Sequence, residues 1–367
     1  MSTLIAGTAD DDQQNSEARK AKGEFVRPKS NLRHALGTAD FPAEPGRYHL
    51  YVGFNCPWCH RLVLARAILG LEDAISMDVA FPTRSSVPDA EGRDGLWVFK
   101  PDGMEVPSGG HVSFPECTAD TVNGFQTVVE MYDLEGVDQR SVPILYDKKQ
   151  KRIVNNESAE ILRMLSAHAE ALGAAPPRVD LYPAAARAAI DELNKWIYND
   201  INNGSYKAGF VTKQAIYEEA YHTYFAALDR LEGLLATSKF VAGDAVTEAD
   251  LRLFPTIFRH DAVYYTRFKL CQATINADYP NIFRWMRTMY ADVPGVRATS
   301  DASYLQHCKQ AERCVLSFSF SFLTSLVSPP AGLLREEQHE HRARRPAGLP
   351  GVLLGLSPSE KVARPAE

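Results

Sequence analysis

The chain lacks any uninterrupted apolar stretch long enough to cross a bilayer. Its longest apolar run, Val315 to Val327, is broken by serines, and a spanning helix needs about 20 residues. It has no basic excess either. Lys and Arg number 40 against 46 Asp and Glu, a formal net charge of −6, so the electrostatic footprint of a nucleic-acid partner is missing and a small molecule is the expected partner. The opening MSTLIAGTADDDQQNSEARKAKGEFVR has no continuous apolar core of a signal peptide, and its acidic residues disfavour a transit peptide. A cytoplasmic setting is expected. Cysteine is scarce, with six in 367 residues; in a reducing compartment a close pair reads as catalytic or metal-binding rather than as a disulfide staple. Cys56 and Cys59 form such a pair, at a spacing that also serves zinc. Cys117, Cys271, Cys308 and Cys314 stand apart, and no second C-x-x-C or H-x-x-H completes a four-ligand set, so no metal is expected.

What is present is an ordinary globular composition, 45% apolar and 23% charged, in a chain too long for one small core. Two domains with extensions are expected. Residues 1–46 are polar and read as an arm that lies over the body or hangs free. From 47 to 172 strand and helix signals alternate. RYHLYVGF (Arg47 to Phe54) has strand composition, Leu62, Ala65 and Leu69 recur at helical spacing before Gly70, and ISMDVAF (Ile75 to Phe81) closes a βαβ unit with parallel pairing. Residues 82 to 117 form a Pro- and Gly-rich loop too long for a plain connection. VPILYD (Val142 to Asp147) and Arg152 to Val154 predict a hairpin, followed by a helix opening at Asn156-Glu157-Ser158. The segment 173–183, GAAPPRVDLYP, is a linker, and 184–305 is predicted helical, with TEAD (Thr247 to Asp250) as a capping box. Residues 306–367 mix Ser/Phe repeats with Pro/Arg-rich sequence and predict a tail of little fixed structure.

The chemistry centres on CPWC at the first strand-to-helix junction. A thiolate attacks sulfur; a thiol does not. The free N–H groups and positive dipole end of a helix stabilise such a thiolate, and Pro57 fits a first helical position where its missing N–H has no partner. His60 and Arg61 are expected to add positive potential. Val142-Pro143 ahead of a strand predicts a cis bond that presents the Val142 backbone to an extended peptide thiol. At the opening of the next helix, the Ser158 hydroxyl and the end amides can hold a carboxylate while Glu157 faces an ammonium.

This order resembles a thioredoxin-like α/β domain followed by an all-α domain, the glutathione transferase fold. RYHLYVGFNCPWCHR, SVPILYDKKQKRIVNNESAEILRML, IDELNKWIYNDINNGSYKAGF, VTEADLRLFPTIFRHDAVYYTRFK and DYPNIFRWMRTMY resemble the xi class, the glutathionyl-hydroquinone reductases. The resemblance implies that Cys56 takes a glutathionyl group from an aromatic thioether and forms a mixed disulfide, which a second glutathione resolves. It further implies Tyr206 as proton donor or acceptor for the aromatic leaving group and Tyr264 as a tyrosine that lowers the thiol pKa. Trp97, Arg140, Ser141, Val142, Glu157 and Ser158 are implied glutathione contacts, glutathione the co-substrate, and a homodimer the assembly. A broader omega-like or glutaredoxin-like thiol transferase, or a glutathione-binding protein with impaired catalysis, are the alternatives. Two features depart from the class: Cys59 stands where a small residue is usual, and the sequence after Val296 lacks a clear counterpart of a second pocket tyrosine.

Overall fold

In the computed structural model, which describes residues 20–82, 89, 91–105, 110–176 and 179–300, β1 (Tyr48–Gly53) is buried along its whole length. It pairs in parallel with β2 (Ser76–Ala80), and α1 (Pro57–Ile68) crosses between them. This is the expected βαβ unit, shorter at the strand ends than the sequence predicts. α1 stops at Gly70, where φ is +65° and an added Cβ would lie 2.7 Å from the Ala175 carbonyl oxygen. Any side chain there meets both a strained backbone and a clash.

The predicted hairpin is β5 (Ile144–Asp147) against β6 (Arg152–Asn155), and the sheet order is β2-β1-β5-β6. Arg47 and Asp147 lock the β1/β5 edge through two buried bonds, Nε–Oδ2 of 2.9 Å and Nη2–Oδ2 of 2.5 Å. The long loop is not featureless: β3 (Met104–Glu105) and β4 (His111–Val112) make a two-stranded ribbon within it, and α2 (Val129–Leu134) follows. α3 (Ser158–Ala167) packs beside α1.

From residue 184 onward the described chain is helical. α4 (Arg187–Trp196) runs into a π-helical turn at Ile197–Asn202, then α5 (Gly204–Gly209) and α6 (Gln214–Leu235). α7 (Glu248–Arg259) ends in a second π-helical turn, His260–Tyr264, and α8 (Pro280–Asp292) packs on α6 and α7. Both halves of the TEAD capping box form. Asp250 also accepts from the Val241 amide and from Trp285 Nε1, each at 2.9 Å, so one fully buried carboxylate ties α7 to α8 and to the preceding turn.

The described part of the arm lies over the body. Leu32, Leu36 and Phe41 are buried in the main core, the His34 amide donates to the Val154 carbonyl at 2.9 Å, and Arg33 bridges Asn155 along β6. The arm thereby covers what would be an open sheet edge. The expected tail at 306–367, including the apolar run, lies outside the described residues. Among those described, no helix is long and apolar enough to cross a membrane.

Candidate active site

Cys56 is the N-cap of α1, with φ −85° and ψ 118°, and Pro57 occupies the first helical position as expected. The sulfur is largely buried and points at the Val142 carbonyl oxygen, 3.9 Å away. The Val142–Pro143 bond is cis. Burial alone would raise the Cys56 pKa. The Cys59 thiol, the backbone N–H groups of Cys59 and Trp58 and the charge of Arg259 outweigh it and lower the pKa to about 6. Cys59 is pushed the other way, well above the usual thiol range, by its own burial and by the Cys56 sulfur it hydrogen-bonds. The pair therefore divides into a thiolate at Cys56 and a protonated donor at Cys59.

The source of positive potential differs from the expectation. His60 is fully buried, and burial together with the Arg259 charge holds its pKa well below the ordinary histidine value. It is neutral at pH 7: its Nδ1 accepts from Arg259 Nη1 at 2.9 Å while Nε2 lies 2.9 Å from the Ser300 hydroxyl. Arg259 Nη2 donates to the Phe54 carbonyl at 2.8 Å, in the turn that leads into Cys56. Arg259 closes α7, 203 positions beyond the cysteine, and nothing local in the sequence flags it. Its nearest signal is the run TEADLRLFPTIFR, whose apolar face puts Arg259 on the buried side of the helix.

Arg61 points away from the sulfur. Its Nε and Nη2 donate to the Arg252 carbonyl at 3.2 and 3.1 Å, and Nη1 donates to the Ser158 hydroxyl at 3.3 Å. Trp58 is bracketed by two guanidinium groups, Arg61 and Arg27, each 4.4 Å from its ring centroid. Arg27 comes from the arm; it also covers the Tyr206 ring at 4.5 Å and donates through Nε to Asn203 at 3.0 Å. The composition of the arm gives no hint of this position.

Tyr206 meets the helix of the nucleophile through Trp58, with ring centroids 5.9 Å apart, and Tyr264 lies one ring further out, stacked on Phe268, which contacts Tyr206 at 5.5 Å. Trp97 lies over the end of β1: a Cβ on Gly53 would be 2.7 Å from its ring, so only glycine permits that approach. Glu157 caps α3 by accepting from the Ala159 amide at 3.2 Å and also accepts from the Ser30 hydroxyl of the arm at 3.3 Å, while Ser158 is buried beside it. Ser141 bonds Tyr132 through its carbonyl at 2.9 Å, which fixes the backbone entering Val142. Arg140 is turned to the long loop, donating to the Asp94 carbonyl at 3.0 Å. Among the described residues no group of three or more His, Cys, Asp or Glu is placed to hold a metal ion.

The buried cysteine at a helix start, the cis-proline turn facing it and the acid-serine helix opening nearby all lie within a stretch that matches a known family. Residues 55–168 match the family model for the glutathione S-transferase N-terminal domain, and 214–288 match that for the C-terminal domain. The chain is 42% identical over 271 residues to the glutathionyl-hydroquinone reductase PcpF of Sphingobium chlorophenolicum, covering 73% of this chain and 79% of that protein. It superposes on the crystal structure of the glutathione-S-transferase Xi from Phanerochaete chrysosporium with TM-score 0.70 at 37% identity, over 84% of this chain and 93% of that one. The glutathione-bound structure of YqjG, a glutathione transferase homolog from Escherichia coli K-12, gives TM-score 0.68 at 37% identity, over 79% and 90%. The chain belongs to the glutathione transferase family, on its xi-class branch with the glutathionyl-hydroquinone reductases, and is an enzyme of that type.

Proposed function

We propose that the enzyme removes the glutathionyl group from glutathionyl-hydroquinones, with glutathione as reductant and co-substrate. The observation that carries this reading is the Cys56 sulfur at the start of α1, held ionised near neutral pH and facing the Val142 carbonyl. In that turn the Val142 backbone pairs with the cysteinyl residue of glutathione, Glu157 faces the ammonium and Ser158 the carboxylate of the γ-glutamyl end, and Trp97 walls the site behind β1. Arg140 and Ser141 hold the approach to Val142.

The Cys56 thiolate attacks the thioether sulfur. An S–S bond forms and the aryl C–S bond breaks, its electron pair remaining on the ring. Tyr206 supplies the proton that completes the hydroquinone, a role suited to a hydroxyl beside the aromatic cluster. Tyr264, stacked on Phe268, backs the aromatic wall that Tyr206 faces. The thiolate of a second glutathione then attacks the glutathionyl sulfur of the mixed disulfide, oxidised glutathione leaves, and Cys56 returns as thiolate. The aromatic rings of Trp58, Tyr206 and Phe268 suit a quinol ring. The reading divides the chain into a glutathione-binding domain at 47–172 and a helical substrate and dimerisation domain at 184–305, in a cytoplasmic homodimer.

A second reading, a broader omega-like thiol transferase acting on mixed disulfides, is favoured by the Cys59 thiol that hydrogen-bonds Cys56. Turnover of a glutathionyl-hydroquinone compared with that of the glutathione–mercaptoethanol disulfide separates the two. The primary reading expects the larger kcat/KM on the thioether and loss of both activities in Cys56→Ser; turnover of the disulfide alone would establish the second.

A further inference from the structure

Arg27 enters the site from the arm and lies over two aromatic rings at once, 4.4 Å from the centroid of Trp58 and 4.5 Å from that of Tyr206. Trp58 stands two residues after the nucleophile, and Tyr206 is the residue read above as proton donor. Several contacts fix the guanidinium there. Its Nε donates to Asn203 Oδ1 at 3.0 Å, and Asn203 is the N-cap of α5, the helix that carries Tyr206. The Phe25 ring of the arm lies 5.4 Å from the guanidinium and 6.1 Å from the Tyr206 ring. The arm is tied down on either side: the Thr212 amide donates to the Gly23 carbonyl at 3.4 Å, and the Ser30 hydroxyl donates to the Asn156 carbonyl at 3.2 Å. Yet the charge has no counter-ion. Among the described residues Nη2 is buried without an acceptor and no carboxylate pairs with Arg27. A cation with a buried, unpaired donor is costly to hold unless an anion appears beside it.

We propose that Arg27 is a positioning residue for Tyr206, the counter-ion of a phenolate that exists between the two half-reactions. The inference rests on the deglutathionylation reading above and adds to it a residue outside the expected site set. Charge balance requires the anion. In the first half-reaction the Cys56 thiolate is consumed as the S–S bond forms, and the electron pair of the broken C–S bond goes to the aryl ring. The proton that quenches the ring comes from Tyr206, which is left as phenolate. In the second, the thiol of the incoming glutathione gives its proton to that phenolate, its sulfur attacks the glutathionyl sulfur of the mixed disulfide, and Cys56 leaves as thiolate. The negative charge thus moves from Cys56 to Tyr206 and back. A fixed opposite charge within about 4–6 Å favours the ionised form of a titrating group, so the guanidinium makes Tyr206 the stronger acid and holds its phenolate until glutathione arrives. Arginine suits the task because it stays charged and stacks on aromatic faces.

A double-mutant cycle on the full-length enzyme tests this, with a glutathionyl-hydroquinone as substrate and the glutathione–mercaptoethanol disulfide as control. Arg27→Met keeps an unbranched apolar stem and removes the charge. It is expected to lower kcat on the thioether by at least about tenfold, the low end of what one charge at this distance does to an ionisation. KM for the thioether and turnover of the disulfide are expected to stay within about twofold. Arg27→Lys, which restores the charge, recovers part of kcat. In a Tyr206→Phe background, where no phenolate forms, Arg27→Met is expected to cost less than about twofold more. Unchanged kcat in Arg27→Met overturns the proposal, as do equal losses on both substrates or a loss in the Tyr206→Phe background as large as in wild type, because an arginine that only packs the arm acts without Tyr206. Should Arg27→Met fail to fold, Arg27→Gln carries the same cycle. If Tyr206→Phe alone leaves thioether turnover intact, the role of Tyr206 fails instead, and this inference with it.

Discussion

Arg259 Nη1 donates to His60 Nδ1 across 2.9 Å, joining the last residue of α7 to the helix that begins at Cys56. Because burial, together with the arginine's charge, keeps His60 neutral, the charge that favours the Cys56 thiolate comes from Arg259 and not from the histidine four residues after the nucleophile. Arg259→Gln is expected to raise the Cys56 pKa, whereas His60→Gln moves it little. Alkylation by iodoacetamide followed against pH reads the difference, and a larger shift from the histidine variant would contradict the assignment.

The same measurement on wild type has a defined sign. With a folded pKa lowered to about 6, the alkylation rate climbs through pH 6 and is nearly flat above pH 7. An ordinary thiol, with a reference value near 8.5, would still be climbing there by about tenfold per pH unit. A midpoint at the ordinary value would remove the electrostatic basis of the site.

Cys59 donates to Cys56 but forms no required bond in the proposed cycle. Cys59→Ala is therefore expected to keep deglutathionylation while raising the Cys56 pKa, since one donor to the thiolate is lost. Loss of turnover with Cys56 intact would show that the second cysteine enters the chemistry.

If Tyr206 protonates the leaving aryl ring, Tyr206→Phe lowers kcat on a glutathionyl-hydroquinone by about a hundredfold, within the usual span for general acid catalysis. Turnover of the glutathione–mercaptoethanol disulfide, whose leaving group is a thiolate, is expected to change little. Equal losses on both substrates would assign Tyr206 to packing.

Asp250 answers four buried donors: the Val241 and Thr247 amides, the Thr247 hydroxyl and Trp285 Nε1. Asp250→Ala leaves all four without that acceptor, at about 1–3 kcal/mol for each that stays buried and unpaired, so denaturant unfolding is expected to show a loss of at least about 3 kcal/mol. Asp250→Asn, which retains an acceptor oxygen, is expected to lose less.

The parts of this architecture written in short windows are legible in the amino-acid sequence. CPWC, Val142-Pro143, Glu157-Ser158 and the Thr247–Asp250 capping box each fix a local backbone state within four residues, and each is found where its window places it. What is not legible there depends on distant residues meeting. Arg259 reaches the turn before Cys56 only because α7 packs on α1, and Arg27 reaches Trp58 only because the arm folds back over the site. His60 shows the reverse failure. Its residue type suggests charge, but complete burial against a guanidinium removes it, and burial is set by the packing of the whole fold.

The central claim is that Cys56 itself takes the glutathionyl group. Intact mass after a single turnover with a glutathionyl-hydroquinone, without free glutathione, tests it most directly. Wild type is expected to gain the mass of one glutathionyl group and release hydroquinone, and Cys56→Ser to do neither. An adduct that persists in Cys56→Ser, or hydroquinone release from wild type with no protein adduct and no disulfide between Cys56 and Cys59, would contradict the account.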